Sequence, residues 1–209
     1  MTLHNYLLFV IACIGLALVP GPDMVYMLAR CVAQGRRAGI LAALGFNLGG
    51  YAHLAAAVLG LSAILATSAV AFTFVKWVGA GYLIYLGIGA LLRKHGALSI
   101  SGAGLKSHDG RTILWQAFLC DVLNPKVAMF MLAFLPQFVS ADATHPLLQV
   151  LLLGVTVNMI CLPINLLLVC FSARLTEALR ESNTLSRWMH RGMGALFIAL
   201  GLRLATEKS

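Results

Sequence analysis

Two long apolar stretches of this 209-residue chain, Ala38–Val75 and Ala143–Ala173, contain no Asp, Glu, Lys or Arg. Each is longer than the roughly 20 apolar residues with which a helix crosses the hydrocarbon core of a bilayer. The whole chain is 60% hydrophobic and 11% charged, whereas an ordinary soluble domain is about 25% charged. A soluble fold of this size cannot hide so much apolar surface from water. The sequence therefore predicts an integral membrane protein and excludes a secreted enzyme.

Apolar stretches of spanning length predict an all-α integral membrane protein with six transmembrane helices. The predicted spans cover approximately residues 5–28, 39–64, 72–92, 113–139, 147–171 and 188–206. They form a single transmembrane domain over residues 1–209. A cytoplasmic linker at about 94–112 divides this domain into repeat one, about 1–93, and repeat two, about 113–209.

The positions of the basic residues predict how the spans are oriented. Eleven of the fifteen Lys and Arg residues fall in the loops after spans 1, 3 and 5: Arg30, Arg36, Arg37, Arg93, Lys94, Lys106, Arg111, Arg174, Arg180, Arg187 and Arg191. Loops rich in Lys and Arg face the cytoplasm, so both termini are predicted to lie outside it. The excess of basic residues that gives the net charge of +8 thus indicates how the protein is oriented in the lipid bilayer. No nucleic-acid partner is expected.

Three pairs of short segments recur in the same order in the two halves. The pairs are Val19–Ala29 with Val122–Leu132, Leu44–Asn47 with Leu153–Asn158, and Gly79–Gly87 with Gly192–Gly201. The first pair matches Pro22 with Pro125 and Asp23 with Lys126. Because each half has an odd number of spans, the second half is predicted to be inverted relative to the first. Inverted three-helix repeats with interrupted helices are typical of secondary transporters.

Prolines are predicted to break spans 1 and 4 at these matched positions. Pro20 and Pro22 lack an N–H and clash with the preceding turn, so span 1 should break near 19–22 and restart at Pro22. In span 4, Asn124 is a good N-cap and Pro125 suits the first helical position. Each restarted helix presents unpaired N–H groups and the positive end of its dipole, which suits a carboxylate.

Charged residues inside these two spans indicate a function. Insertion scales give a cost of about 2.5–3.5 kcal/mol for a charged residue at the centre of a spanning helix. Such a residue therefore usually has a function. The carboxyl group of Asp23, or of Asp121, could bind an ammonium group, and Lys126 adds a cation beside the second helix start. Together with the helix starts, these groups predict a site for a zwitterionic amino acid. A purely structural Asp23–Lys126 ion pair is the alternative.

The candidate site follows from these arguments. The predicted substrate-binding residues are Pro20, Gly21, Pro22, Asp23, Asn47, Asn124, Pro125, Lys126 and Asn158. The candidates for proton coupling are Asp23, Asp121 and His53. His53 could instead be a packed, hydrogen-bonded residue, and the two asparagines in spans 2 and 5 could form hydrogen bonds between helices and not bind the substrate. No metal and no cofactor is expected.

Enzyme chemistry finds little support in the sequence. There is no Gly-x-x-x-x-Gly-Lys-Ser/Thr motif for ATP, no HExxH motif and no spaced Cys/His cluster. The number of cysteines, five, is odd, and the sequence contains no CxxC motif. Both observations argue against a disulfide framework. A membrane thiol-disulfide relay through Cys13 and Cys120, which fall in spans 1 and 4, is the enzyme-class alternative.

Four motifs together resemble those of the LysE/RhtB family of amino-acid exporters. They are Pro20–Asp23, Gly35–Ile40, Lys76–Leu83, and Asn124–Lys126 followed by Phe134–Phe138. The resemblance implies a six-span protein of the bacterial inner membrane that exports amino acids by proton antiport. Asp23 and Lys126 resemble the branch that exports homoserine, threonine, leucine or related neutral compounds. An exporter of a basic amino acid, a metal or another small solute is the alternative, and a homo-oligomer is left open.

Overall fold

Helices account for most of the residues that the computed structural model describes. These residues are 3–18, 20–67, 77, 80–81, 84–85, 87–89, 91–92, 105–139, 144–174, 176, 191–192, 194–195, 198–199 and 201–202. No strand occurs among them, in agreement with the all-α prediction.

The described residues include six continuous α-helices, which are not the six predicted spans. They are α1 (Leu3–Leu18), α2 (Pro22–Gln34), α3 (Arg36–Thr67), α4 (Gly110–Val122), α5 (Pro125–Met129) and α6 (Pro146–Cys170). After α5 the chain continues as a π-helical turn, Phe130–Phe134, and a 3₁₀ turn, Leu135–Phe138. Predicted span 1 corresponds to α1 and α2, span 2 to α3, span 4 to α4 and its continuation, and span 5 to α6.

Two of these helical segments, Arg36–Gly60 and Pro146–Cys170, are each long and apolar enough to cross a membrane. Two bent pairs also meet the criterion when each pair is taken as one span: α1 with α2, and α4 with Pro125–Phe138. The described residues thus contain two to four candidate spans. Predicted spans 3 and 6 lie mostly outside the described residues, although scattered residues between 77 and 92 and between 191 and 202 are helical.

Both breaks occur where the prolines predict them. Helix α2 begins at Pro22, with Gly21 in an extended conformation as its N-cap. Helix α5 begins at Pro125, and the side-chain oxygen of Asn124 accepts a hydrogen bond from the Lys126 N–H at 3.0 Å. Each break bends its helix pair by 50°. The local rules for proline and N-cap residues are therefore sufficient to explain where these helices restart.

Two apolar clusters form the core of the bundle, and polar residues that include Asp23 and Asn158 lie between them. The first joins α1, the Pro125–Phe138 segment and the start of α6 through residues such as Phe9, Phe134 and Val150. The second joins α2, the start of α3, α4 and the end of α6. Along α6, Asn158 lies between the part in the first cluster and the part in the second. The same order holds along the broken α1–α2 pair, where Asp23 separates the two clusters.

One basic residue is not where the charge pattern predicts it. Arg30 is expected in the loop after span 1, but it lies inside α2 and is 4% exposed. The turn to α3 comes later, at Gly35, whose φ of 80° is a conformation that favours glycine. Arg36 and Arg37 follow this turn and are exposed.

Candidate functional site

A buried ion pair joins the two broken spans. The Lys126 ammonium lies 2.9 Å from Oδ2 and 3.2 Å from Oδ1 of Asp23. Only 9% of the Lys126 side chain and 19% of the Asp23 side chain are exposed. The two positions that the repeat alignment matches are therefore in direct contact. Removing either charge would leave the other one in a poorly solvated site.

Lys126 also stabilises the end of the helix that precedes the first break. Its ammonium lies 3.5 Å from the carbonyl oxygen of Leu16, in the last turn of α1. The carbonyl groups of a last helical turn have no partner within the helix and carry a partial negative charge. The cation is thus held between this helix end and the carboxylate of Asp23. Gly21 adjoins the pair, since a Cβ atom added there would lie 3.0 Å from the Lys126 ammonium.

Asp121 is a second buried acidic residue, near the end of α4. It is 4% exposed, and its Oδ2 atom has no hydrogen-bond partner in the described part of the chain. Helix α3 approaches it closely: a Cβ atom added to Gly49 would lie 2.7 Å from this Oδ2. A buried carboxyl oxygen without a partner is costly, and such a group is suited to bind a proton or a cation.

His53 holds the backbone of Asp121. Its Nε2 atom lies 2.9 Å from the Asp121 carbonyl oxygen, which also accepts a hydrogen bond from the N–H of Asn124 at 2.8 Å. Because a carbonyl oxygen can only accept, Nε2 must carry the hydrogen. His53 therefore caps α4 at the second break, much as Lys126 does for α1 at the first.

Two asparagines from α3 and α6 meet next to these groups. The Asn47 amide donates to the backbone oxygen of Asn158 at 3.2 Å and to its side-chain oxygen at 3.5 Å. The Asn158 amide in turn donates to the Gly154 carbonyl at 3.1 Å. Asn47 and Asn158 belong to the second pair of similar segments, although two residues out of register with each other, and they too are in direct contact.

A partly open cavity lies beside the charged groups. Its empty space, mouth included, is about 470 Å³, and Asp23, Asn47, Asp121 and Asn158 contribute to its wall. The rest of the wall is mainly apolar and consists of Leu16, Ala17, Phe46, Gly50, Val127, Met131, Val157 and Cys161, together with Asn165. The cavity therefore has a polar side with two carboxyl groups and an apolar side contiguous with the first apolar cluster.

The other predicted site residues surround this cavity without being part of its wall as described. Asn124 is buried and caps α5, and Pro20 is also buried. Pro22 and Pro125 are exposed at the first positions of their helices. These two prolines set the direction of the backbone after each break, and this direction brings Asp23 and Lys126 together.

Sequence reasoning missed the apolar part of the wall and Asn165. Phe46, Met131 and Val157 look like ordinary membrane-helix residues in the sequence, and only the packing register shows that they adjoin the polar groups. Asn165 carried a weak signal, because it is a polar residue in an uncharged apolar stretch.

The arrangement offers little for metal or thiol chemistry. The described residues contain no group of three or more His, Cys, Asp or Glu side chains that could hold a metal ion. Cys13 is buried in the first apolar cluster and Cys161 adjoins the cavity. All five cysteines are free thiols.

Comparison with known proteins gives a consistent result. The family model described as LysE type translocator matches residues 14–208. An uncharacterized membrane protein of Vibrio cholerae is 32% identical over 212 residues, covering 100% of both chains. The leucine efflux proteins of Enterobacter sp. and Salmonella typhimurium are each 28% identical, covering 97% and 98% of this chain and 95% and 96% of theirs. No solved structure matches the chain.

Proposed function

The chain belongs to the LysE type translocators, a family of membrane transport proteins, and we propose that it exports small neutral amino acids from the bacterial cytoplasm by proton antiport. The observation that carries this proposal is Asp121, whose buried Oδ2 atom has no hydrogen-bond partner among the described residues, in the wall of a cavity that Asp23 of the ion pair also lines. The leucine efflux proteins among the relatives support amino-acid export.

The polar side of the cavity suits the charged groups of an amino acid. Asp121 would bind the ammonium group, because Asp23 already has Lys126 as its partner. Lys126 and the free N–H groups at the start of α2 would bind the carboxylate. Charge-assisted hydrogen bonds of this kind are about twice as strong as neutral ones, so both charged ends contribute to recognition.

The apolar side of the cavity favours an aliphatic substrate side chain. Phe46, Met131 and Val157 can contact such a side chain and remove it from water. Homoserine and threonine would place a hydroxyl group against this surface, where only Asn165 offers an additional amide. We therefore propose leucine or a similar aliphatic amino acid as the preferred substrate within the neutral class.

Competition at Asp121 would couple export to protons. The carboxylate can hold either the substrate ammonium or a proton, but not both. Substrate entering from the cytoplasm would bind the deprotonated form. After its release on the other side, Asp121 would take up a proton and carry it inward. His53, by holding the Asp121 carbonyl oxygen, would keep the residue at the cavity wall.

We also propose the topology that the sequence predicts, with six spans in two inverted repeats of the inner membrane and both termini outside the cytoplasm. Two features support it: both helices restart at a proline after a bend of 50°, and the matched residues Asp23 and Lys126 touch each other. Contact between matched residues is expected where a pseudo-two-fold axis passes between two repeats.

The direct test is efflux from bacterial cells that overexpress the protein. Cells preloaded with labelled leucine, threonine, homoserine or lysine should export leucine fastest, and a protonophore should stop this export. Asp121→Asn should reduce proton-driven efflux at least tenfold, whereas the matched control Asp109→Asn, at an exposed carboxyl group, should not. The proposal is wrong if no amino acid leaves the cells faster than from the empty-vector strain.

A further inference from the structure

Arg30 is a buried cation that the proposed transport cycle does not yet use. It lies near the end of α2 and is 4% exposed. Its Nη1 atom donates to the side-chain oxygen of Gln34 at 2.9 Å and to the Lys106 carbonyl oxygen at 3.1 Å. Its Nη2 atom donates to the side-chain oxygen of Gln116 at 3.1 Å. Its Nε atom is buried without a hydrogen-bond partner among the described residues.

Each of these acceptors is electrically neutral. Hydrogen bonds to amide and carbonyl oxygens satisfy the N–H groups but do not compensate a full positive charge. The ring of Tyr26, 5.3 Å from the guanidinium carbon, and the negative end of α2 compensate part of it. A guanidinium group forms its strongest complexes with carboxylates, which it binds through two parallel hydrogen bonds. The described surroundings of Arg30 thus lack the ligand that its chemistry favours.

Arg30 lies on the same face of α2 as Asp23, which lines the cavity. Asp23, Tyr26 and Arg30 are spaced by three and four residues, so they lie along one face of α2. Seven residues of helix place Arg30 about 10 Å from Asp23, toward the end that the proposed topology puts in the cytoplasm. A substrate that enters from the cytoplasm along this face would meet Arg30 before it reaches the cavity.

The segment 105–109 covers this end of α2. The Gln34 amide donates to the Ser107 hydroxyl at 3.1 Å and to the His108 carbonyl at 2.9 Å, and its side-chain oxygen accepts from the His108 N–H at 3.2 Å. The same oxygen of Gln34 is an acceptor for Arg30. Gln34 therefore holds segment 105–109 against Arg30. Its side-chain oxygen also occupies the position beside the guanidinium group that an oxygen of a bound carboxylate would take.

We propose that Arg30 is an entrance site that binds the carboxylate of the substrate amino acid at the cytoplasmic face. The Gln34 side-chain oxygen and the Lys106 carbonyl oxygen hold the guanidinium until the carboxylate displaces them. This inference rests on the proposed function, because it takes the exported amino acid as its ligand. It adds a second binding step, separate from the cavity at Asp23 and Asp121.

The proposal predicts opposite effects for two neighbouring substitutions. Arg30→Gln removes the receptor, so the KM for leucine at the cytoplasmic face should rise roughly ten- to a hundredfold, as expected for a lost charge-assisted hydrogen bond. Gln34→Ala removes a competing acceptor, so this KM should fall. If Arg30 only braces the structure, both substitutions weaken the same network and change transport in the same direction.

The experiment uses labelled L-leucine and membrane vesicles of both orientations that contain the full-length protein. In inside-out vesicles Arg30→Gln should raise the KM, and Arg30→Lys should recover part of the affinity because it keeps the charge but loses the paired geometry. In right-side-out vesicles the KM should stay unchanged. The matched control Arg37→Gln, at an exposed arginine of the same end, should have the wild-type KM in both.

The outcomes separate this inference from the proposed function. If wild-type vesicles transport none of the amino acids tested, the proposed function fails, and this inference fails with it. If the wild type transports leucine, an unchanged KM in Arg30→Gln or a raised KM in Gln34→Ala overturns the entrance site alone. Should Arg30→Gln be absent from the membrane, the direction of the Gln34→Ala effect still decides.

Discussion

Removing the charge of Lys126 should destabilise the protein more than removing both charges of the Asp23–Lys126 pair. Lys126→Met keeps most of the side-chain volume but leaves the Asp23 carboxylate without its cation. Loss of one partner from a buried pair costs about 3–5 kcal/mol. Because 19% of the Asp23 side chain is exposed, water screens part of the remaining charge, and we expect the lower value, about 3 kcal/mol.

The reverse substitution should cost less. In Asp23→Asn the Lys126 ammonium keeps the carbonyl oxygen of Leu16, 3.5 Å away, and the negative end of α1. We expect a loss of about 2 kcal/mol, within the range for a hydrogen bond to a charged group. The double variant leaves neither charge unpaired, so its loss should be smaller than that of Lys126→Met alone. The coupling energy of the cycle should then be about 2 kcal/mol or more.

The assay is thermal unfolding of the purified protein in detergent, followed by intrinsic fluorescence. For a chain of this size, 1 kcal/mol corresponds to about 2–4 °C in Tm, so Lys126→Met should lower Tm by about 6–12 °C. Losses of Asp23→Asn and Lys126→Met that simply add in the double variant would refute the reasoning, because independent residues add and paired residues do not.

Stability and transport should respond differently to the same variants. The double variant Asp23→Asn with Lys126→Met should recover stability relative to Lys126→Met, but not efflux, because the cation proposed to bind the substrate carboxylate is absent. Efflux is measured from preloaded cells, with the amount of protein in the membrane determined for each variant. Wild-type efflux in the double variant would show that the pair is a structural brace.

Three further outcomes are expected. Gly45→Ala should lower the free energy of unfolding by about 1–3 kcal/mol through overpacking, since the added Cβ would overlap the backbone of α4. Gly60 faces open space on the same helix, so the free energy of unfolding of Gly60→Ala should stay within about 1 kcal/mol of wild type. Equal Tm losses in the two variants would contradict this. Replacement of all five cysteines by Ala should leave efflux intact, and its loss through Cys13→Ala alone, in protein that inserts normally, would revive the thiol relay. In that cysteine-free background, cysteines placed at the exposed positions Leu105 and Thr144 should react with impermeant reagents from opposite sides; labelling from one side would exclude the six-span topology.

Features that depend on neighbouring residues in the chain were predictable from the sequence. Proline fixes its own φ and removes a donor, so the restart at Pro22 follows from local geometry. The hydrogen bond from the Lys126 N–H to the Asn124 side chain is likewise a short-range N-cap interaction. The contact between Asp23 and Lys126 is long-range, but the repeat made it predictable, because matched residues can meet across a pseudo-two-fold axis.

Features that depend on packing register were not predictable. Arg30 is one turn from the end of α2, and its charge alone suggested a loop. Its burial requires Gln116 from α4 and segment 105–109, both about 80 residues away in the chain. The apolar cavity wall is similar: Met131 lies in a π-helical turn, and the extra residue of such a turn changes which side chains face the cavity.

The contact between Lys126 and Asp23 has a consequence for the direction of the cycle when no substrate is bound. An ammonium and a carboxylate 2.9 Å apart have the two charges of a zwitterionic amino acid. The charges of this pair therefore neutralise each other in the absence of the proposed substrate. A carrier whose empty site holds a bare charge is immobilised until a ligand neutralises it, and such a carrier performs only obligatory exchange. Here the Asp23–Lys126 pair is already neutral, so the proton that Asp121 is proposed to take up is enough to neutralise the empty site before it returns. On this ground the protein should run as a net exporter, which lowers the cytoplasmic amino-acid pool without importing a second amino acid in return.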